Sequence, residues 1–405
     1  AVLFINSLFI ILVGQFIIQS PQSSYLIPLA GVAMIIALLV SANCALLSTV
    51  VLSVFLSVMA GGKMELLFVL LLGGFASVYI ARDARKRSKI ILAGIVGGIA
   101  SGLGIIAMGL VNNLEPQAYL YDSLWGLGNG IVSIFLVMGA LPLFEYGFKM
   151  TTNITLLELS DLNHPLLKEL TLKAPGTYQH SIMVGNLAEA ACEAIGANSL
   201  LARVGAYYHD IGKIGKAEYF SENEMGAQSK HGKLTPSMSA LIIVNHVKDG
   251  LELAKKYKLN PKIVEFIGQH HGRGLIYYFY QRALEKIGED HQLNEEEFRY
   301  PGLKPQTKES AIVLLADSVE ASSRTLSDPT PSRIRGLVQK IINNKFIDNQ
   351  LVECELTLTD LNKIALSFVR VLTAVFHTRL EYPERKDLQA KKTNGKNKHQ
   401  QPKQK

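Results

Sequence analysis

Six apolar runs crowded into the first 150 residues restrict this chain more than any other feature: Val2 to Gln19, Tyr25 to Val40, Ala42 to Ala60, Glu65 to Ile80, Ile90 to Val111 and Leu124 to Phe148. Several approach the roughly 20 residues needed to cross a hydrocarbon core of about 30 Å. One such run alone reads equally well as a buried core helix. A succession of them, with scarcely a charge in their interiors, predicts a polytopic transmembrane bundle. Six helices are expected, five or seven being the alternatives.

The loops orient the bundle. Arg82 to Lys89 is the densest basic loop, whereas Asn112 to Asp122 carries only Glu115 and Asp122. By the positive-inside rule the first lies in the cytoplasm and the second outside, so everything after Lys149 is cytoplasmic. An ion or proton path would need ionisable side chains inside the helices, and these are nearly absent. Gly94, Gly97, Gly98, Gly102 and Gly104 instead let helices pack closely. The bundle therefore reads as an anchor or signal-transmitting element in a cell membrane. The chain opens at Ala1 inside an apolar run with no basic leader, which is unlike a secretory signal and leads us to expect a missing N-terminal part.

At 405 residues two units are expected, and the 48% hydrophobic content is unevenly shared between them. From Thr151 the pattern turns amphipathic with little strand-like alternation, predicting an all-α domain over residues 151–383 behind the bundle of residues 1–150. Pro175-Gly176 opens one helix, Asn260-Pro261 caps another, and Thr357 to Asp360 leads into a run ending before Pro383. Further helices are expected around Leu200 to Tyr208, Ser237 to Tyr257, Ile276 to Ile287, Ser310 to Arg324 and Pro331 to Asn344, with a loop between Lys216 and Pro236 over the site.

Much of the net charge of +7 lies in residues 384–405, at Arg385, Lys386, Lys391, Lys392, Lys396, Lys398, Lys403 and Lys405. So polar a segment cannot bury enough surface to order itself, and it reads as a solvated, disordered tail, with attraction to anionic lipid headgroups as the functional alternative. No nucleic acid polymer is expected as a partner; a homodimer is left open. Cys44, Cys192 and Cys354 lack C-x-x-C spacing, which excludes a disulfide framework and a thiolate zinc site and suits a reducing cytoplasm.

Of ten histidines, five fall in pointed contexts: His180 near a helix start, the pair His209-Asp210, His246 within a helix, and His270-His271 at a helix end. Asp317 joins them from the apolar stretch Ala311 to Ala316. A buried ionised carboxylate costs several kcal/mol unless compensated, and a divalent cation compensates most strongly. Imidazole and carboxylate donors suit iron, manganese or zinc. Seven ligands are too many for one tetrahedral ion and suit two ions sharing a carboxylate. A lone histidine is more often a satisfied core or surface residue, and His164, His231, His291, His377 and His399 are assigned to that class.

The order His, His-Asp, His, His-His, Asp resembles the HD superfamily of metal-dependent phosphohydrolases, in its two-metal phosphodiesterase branch. The string His209-Asp210-Ile211-Gly212-Lys213 matches that family's central motif. The apolar helices followed by this domain, with His246-Val247-Lys248-Asp249-Gly250 and Asp328-Pro329-Thr330-Pro331, resemble the seven-transmembrane-receptor HD family of the PgpH type, which hydrolyses cyclic di-AMP. The extracellular sensor domain and at least one helix of that family would precede Ala1. The resemblance implies a first metal on His180, His209, Asp210 and Asp317, and a second, bridged by Asp210, on His246, His270 and His271. It further implies hydrolysis of cyclic di-AMP to linear pApA by a hydroxide between two ions, with manganese and iron as the expected metals. Asp210 and Lys213 are the expected catalytic residues, with Lys213 also binding a phosphate oxygen; Lys216 is a weaker candidate for such a role. Tyr277, Tyr278, Phe279 and Tyr280 are either core packing or a stacking surface for a purine.

Three rivals stand against this reading. Cyclic di-GMP hydrolysis, as in HD-GYP enzymes, is disfavoured because Gly272 to Tyr277 lacks that group's signature. A nucleotide triphosphohydrolase or alarmone hydrolase would need fewer ligands. A receptor that binds nucleotide without cleaving it would not require the full ligand set.

Overall fold

The computed structural model describes residues 1–19, 24–82, 84–224, 230–287 and 293–376. Among them the chain is all-α: sixteen α-helices, short 3-10 turns, one isolated bridge between Leu275 and Arg299, and no strand. The expected tail, with His377 and His399, and also His291, lies outside the described residues.

Six apolar helices come first: α1 (Val2–Gln19), α2 (Leu29–Leu39), α3 (Ala42–Met59), α4 (Met64–Ala81), α5 (Arg87–Val111) and α6 (Pro116–Phe148). Five are long and apolar enough to cross a membrane. The exception is α2, whose 11 residues span only about 16 Å at 1.5 Å per residue. Ten of those residues are buried, so the run is apolar because it lies inside the bundle. Its irregular entry is satisfied from α6, where the Asn129 amide donates to the carbonyls of Tyr25 and Ile27, both at 2.8 Å. Non-helical backbone at this depth is tolerated when protein covers and pairs it. The last helix begins two turns before the expected Leu124 because Pro116 supplies a first-turn proline and nothing after it breaks the helix.

Close approach of α5 to α6 depends on missing side chains. A Cβ on Gly130 would fall 2.4 Å from the Gly94 carbonyl oxygen and 2.9 Å from the Gly98 Cα. Without a hydrophobic drive between helices in lipid, such backbone contact supplies the packing.

The second set comprises α7 (Asn153–Leu159), α8 (Pro165–Lys173), α9 (Pro175–Ile195), α10 (Ser199–Tyr208), α11 (Pro236–Lys256), α12 (Pro261–Gln269), α13 (Tyr277–Ile287), α14 (Lys308–Ser323), α15 (Pro331–Ile347) and α16 (Leu358–Phe376). Side-chain caps start most of them. Thr235, Asn260 and Thr330 each cap a helix whose first turn holds a proline, and Thr307 forms a reciprocal capping box with Ser310. The core runs through α14, whose residues Ala311 to Ala316 are all fully buried against α9, α10, α12 and α15. Where a loop was expected between Lys216 and Pro236, the described residues form 3-10 turns (Ile211–Tyr219, Ser221–Asn223, Lys230–Lys233), and residues 225–229 lie outside the described residues.

The two sets meet at the end of α6. The Glu145 carboxylate accepts from the Thr152 amide (2.8 Å) and hydroxyl (2.7 Å) and from the Thr155 hydroxyl (2.9 Å). Arg87 at the start of α5 pairs with Glu158 of α7 at 2.8 Å.

Candidate metal centre

The chain brings all seven sequence-selected residues to one place. His180 comes from α9, His209 caps the end of α10, and Asp210 follows at the entry to the 3-10 turn Ile211–Tyr219. His246 lies in α11, His270 and His271 directly follow α12, and Asp317 lies in α14. Gly212 makes the turn fit: a Cβ there would fall 1.8 Å from the His246 carbonyl oxygen and 2.5 Å from the Gly250 nitrogen. Only glycine permits that approach, which sets His209-Asp210 against α11.

Asp210 is the hub. Its Oδ2 faces His209 Nε2 at 3.2 Å and His180 Nε2 at 3.5 Å. Its Oδ1 faces His246 Nε2 at 3.3 Å and His270 Nε2 at 3.5 Å. Asp317 Oδ1 lies 3.1 Å from His180 Nε2, and Oδ2 lies 3.4 Å from His271 Nδ1. The donors fall into two groups, one of Asp210, His246, His270 and His271, the other of His180, His209 and Asp317.

Backbone carbonyls fix three of the rings in this arrangement, and a carboxylate fixes a fourth. A carbonyl only accepts, so Nδ1–H must donate in His209 (to Ala206, 2.7 Å), His246 (to Ile243, 2.5 Å) and His270 (to Ile267, 3.0 Å). The Nε2 lone pairs then point inward. His180 Nδ1 meets the buried carboxylate of Glu320 at 2.5 Å, which orients the ring in the same sense.

His246 Nε2 and His270 Nε2 meet each other at 3.2 Å, while four other inward atoms lack protein partners. His180 Nε2, His209 Nε2 and both Asp210 oxygens are buried with no hydrogen bond of acceptable geometry, although Lys213 Nζ is 2.8 Å from Oδ2. Burial opposes the Asp210 charge, yet Lys213 and His209 outweigh it and hold the carboxyl well below the usual range. Burial pushes His270 down to about 4 and His271 well below the ordinary imidazole value, so both rings offer lone pairs. His180 goes the other way: burial is overcome by Asp317 and Glu320, which raise it to about 10. Orphaned imidazole nitrogens and carboxylate oxygens converging in two groups fit divalent cations with N/O preference.

Lys213 is pinned rather than loose. Its ammonium lies 2.8 Å from Asp210 Oδ2 and 2.8 Å from Glu222 Oε1, over the Phe220 ring. Burial works against its charge, but the two carboxylates raise its pKa well above the lysine norm. Lys216 is placed elsewhere, on the surface with Asp249 at 3.2 Å.

Beside the cluster opens a cavity of about 1470 Å³, larger than the ~300–1,000 Å³ of ordinary small-molecule pockets. The aromatic run divides there. Tyr277 and Tyr278 are exposed and line the cavity, while Phe279 packs into a small core with Ala240, Ala283 and Phe298. His231, assigned above to the ordinary class, is buried in the cavity wall with Nε2 2.7 Å from the Tyr219 carbonyl. His164 stays in that class, accepting from the Leu166 amide at the start of α8.

Sequence reasoning missed Glu320, Glu222 and Tyr300. Glu320 was findable, since it follows Asp317 by three positions on one apolar helix and so shares its face. Glu222 meets Lys213, and Tyr300 stacks on His271 with ring centroids 4.2 Å apart, only through the tertiary fold.

Residues 1–152 match the family described as 7TM receptor with intracellular HD hydrolase, and residues 177–322 match the HD domain. The first part of the chain is accordingly membrane-spanning. A cyclic-di-AMP phosphodiesterase PgpH of Bacillus subtilis is 42% identical over 368 residues, covering 89% of this chain and 51% of the relative. Its namesake in Listeria monocytogenes is 39% identical over 370 residues, covering 90% and 51%. The chain thus spans about half the length of these relatives. The crystal structure of the L. monocytogenes PgpH HD domain in complex with cyclic-di-AMP is 45% identical, with a TM-score of 0.51, covering 54% of this chain and all of that one.

Proposed function

Because the chain belongs to the family of 7TM receptors with an intracellular HD hydrolase, we propose that it is a membrane-bound, metal-dependent phosphodiesterase that opens cyclic di-AMP to linear pApA. The observation that carries this reading is Asp210, which turns one oxygen to each of two donor groups at the edge of a cavity large enough for a dinucleotide. The names of the two relatives and the ligand of the L. monocytogenes HD domain support the choice of substrate.

His180, His209 and Asp317 would hold one ion and His246, His270 and His271 the other, with Asp210 shared; manganese and iron suit this donor set. Bound divalent ions supply Lewis acidity toward phosphoryl oxygen and make water nucleophilic near neutral pH. The chain's own residues do the rest. Carbonyl acceptors keep the lone pairs of His209, His246 and His270 aimed inward and Glu320 fixes the orientation of the His180 ring, so no reorganisation is needed as charge develops. Lys213 donates to Glu222 and pairs with Asp210 at 2.8 Å, so its ammonium is held beside Asp210 with N–H capacity for a nonbridging phosphate oxygen. Tyr277 and Tyr278 offer exposed ring faces to a base.

In this reading residues 1–150 form the membrane unit and 151–383 the catalytic unit, which the basic segment between α4 and α5 orients toward the cytoplasm. Product analysis tests the proposal: the full chain in detergent, with manganese or ferrous iron, is given cyclic di-AMP and cyclic di-GMP in separate reactions. Conversion of cyclic di-AMP to pApA is expected. Tight binding without product under either metal would make the chain a receptor.

A further inference from the structure

Most cations lining the cavity are already held by carboxylates. Arg299 pairs with Glu295 (2.6 Å) and Asp348 (3.1 Å), Arg324 with Glu320 (2.6 Å), and Lys213 with Asp210 and Glu222. Arg282 lies over the Tyr278 ring. Lys345 on α15 differs, having neither an ion pair nor a ring contact among the described residues, although it sits in the cavity wall. Burial pushes its ammonium below the ordinary lysine range, and the more distant charges of Asp317 and Asp348 offset this only in part. Gly274 keeps the approach to it open: a Cβ there would lie 3.3 Å from Lys345 Nζ and 3.1 Å from the His271 carbonyl oxygen.

A half-buried ammonium without a counter-ion is costly in the free protein and is relieved by an anion. Here the anion must arrive in the cavity that the metal centre also lines, because His180, His271, Asp317 and Lys345 share it. A cyclic dinucleotide carries two phosphodiesters on opposite sides of one ring. If one lies at the Asp210 cluster, the other is displaced across the cavity from it. We propose that Lys345 binds the second, uncleaved phosphate, so that the site selects ligands with two phosphates over simple phosphodiesters. This inference rests on the cyclic dinucleotide reading above.

The test compares the full chain in detergent with its Lys345→Met and Lys345→Arg variants, using cyclic di-AMP and, as a one-phosphate diester, bis(p-nitrophenyl) phosphate. The ratio of kcat/KM for cyclic di-AMP to that for bis(p-nitrophenyl) phosphate is expected to fall at least roughly tenfold in Lys345→Met, equivalent to about 1.4 kcal/mol. The change should sit mainly in KM, and Lys345→Arg should recover most of it. Equilibrium binding of cyclic di-AMP to the EDTA-treated chain gives a readout independent of turnover, and it should weaken in Lys345→Met alone. If the wild-type chain cleaves cyclic di-AMP and the ratio is unchanged in Lys345→Met, or both substrates decline together, the inference is overturned while the function stands. If the wild-type chain cleaves only bis(p-nitrophenyl) phosphate and does not bind cyclic di-AMP, the functional reading fails and the inference falls with it.

Discussion

On the proposed two-ion reading, replacing Glu320 by alanine should release one metal ion and leave the other. Glu320 is buried, accepts from His180 Nδ1 at 2.5 Å through one oxygen, and accepts from Arg324 Nε at 2.7 Å through the other. Alanine removes the acceptor that holds the ring and leaves Nδ1–H buried without a partner. A hydrogen bond to a charged group contributes about 1.5–3 kcal/mol, and each 1.4 kcal/mol is roughly tenfold, so affinity should drop roughly 10- to 100-fold. Outer-shell substitutions at metal sites fall in the same range of about 10–100-fold. The loss should be confined to the group of His180, His209 and Asp317, because the rings of His246 and His270 are held by their own carbonyls. Metal content by plasma mass spectrometry, after dialysis against graded chelator, should fall from two equivalents toward one, while Glu320→Gln keeps an acceptor and recovers most of the affinity. Retention of both equivalents at wild-type affinity would refute the argument. Loss of both together with a lowered Tm would show that Glu320 supports the fold rather than one ligand.

Three further outcomes follow from the same geometry. Asp210→Ala removes the oxygens facing both donor groups, so turnover should vanish and metal content should drop for both equivalents; a fully active variant would sink the assignment. Lys213→Met should lower kcat by about 10²- to 10³-fold, the usual cost of one preorganised donor, with metal content little changed. A steady-state assay beside metal analysis separates this from a defect in metal binding. Gly212→Ala forces a Cβ against backbone at 1.8 Å and should destabilise the domain by about 3 kcal/mol or more, read as a large fall in Tm; a wild-type melt would contradict the packing described.

Much of the helical layout was legible because its signals are local. Caps and first-turn prolines put the expected starts at Pro175 and Pro331 on the observed ones and those near Ser237 and Ser310 within two residues. The apolar runs likewise located six helices, but hydropathy could not tell a helix facing lipid from one facing protein. For this reason α2 read as a span although it is too short to be one. The segment after Lys216 read as a plain loop because 3-10 turns carry little periodicity.

By itself the sequence determined the all-α class, the abrupt change from apolar to amphipathic helices near Lys149, and the seven donor residues, since each shows in composition, period or motif. Tertiary structure alone decided how those donors divide about Asp210, which nitrogen of each ring faces inward, that Glu320, Glu222 and Tyr300 pack against them, and that Lys345 lines the same cavity. The physical reason is distance along the chain. A cap or a helical period acts within a few residues, whereas His180 meets Glu320 across 140 positions, a proximity that exists only once α9 and α14 have packed.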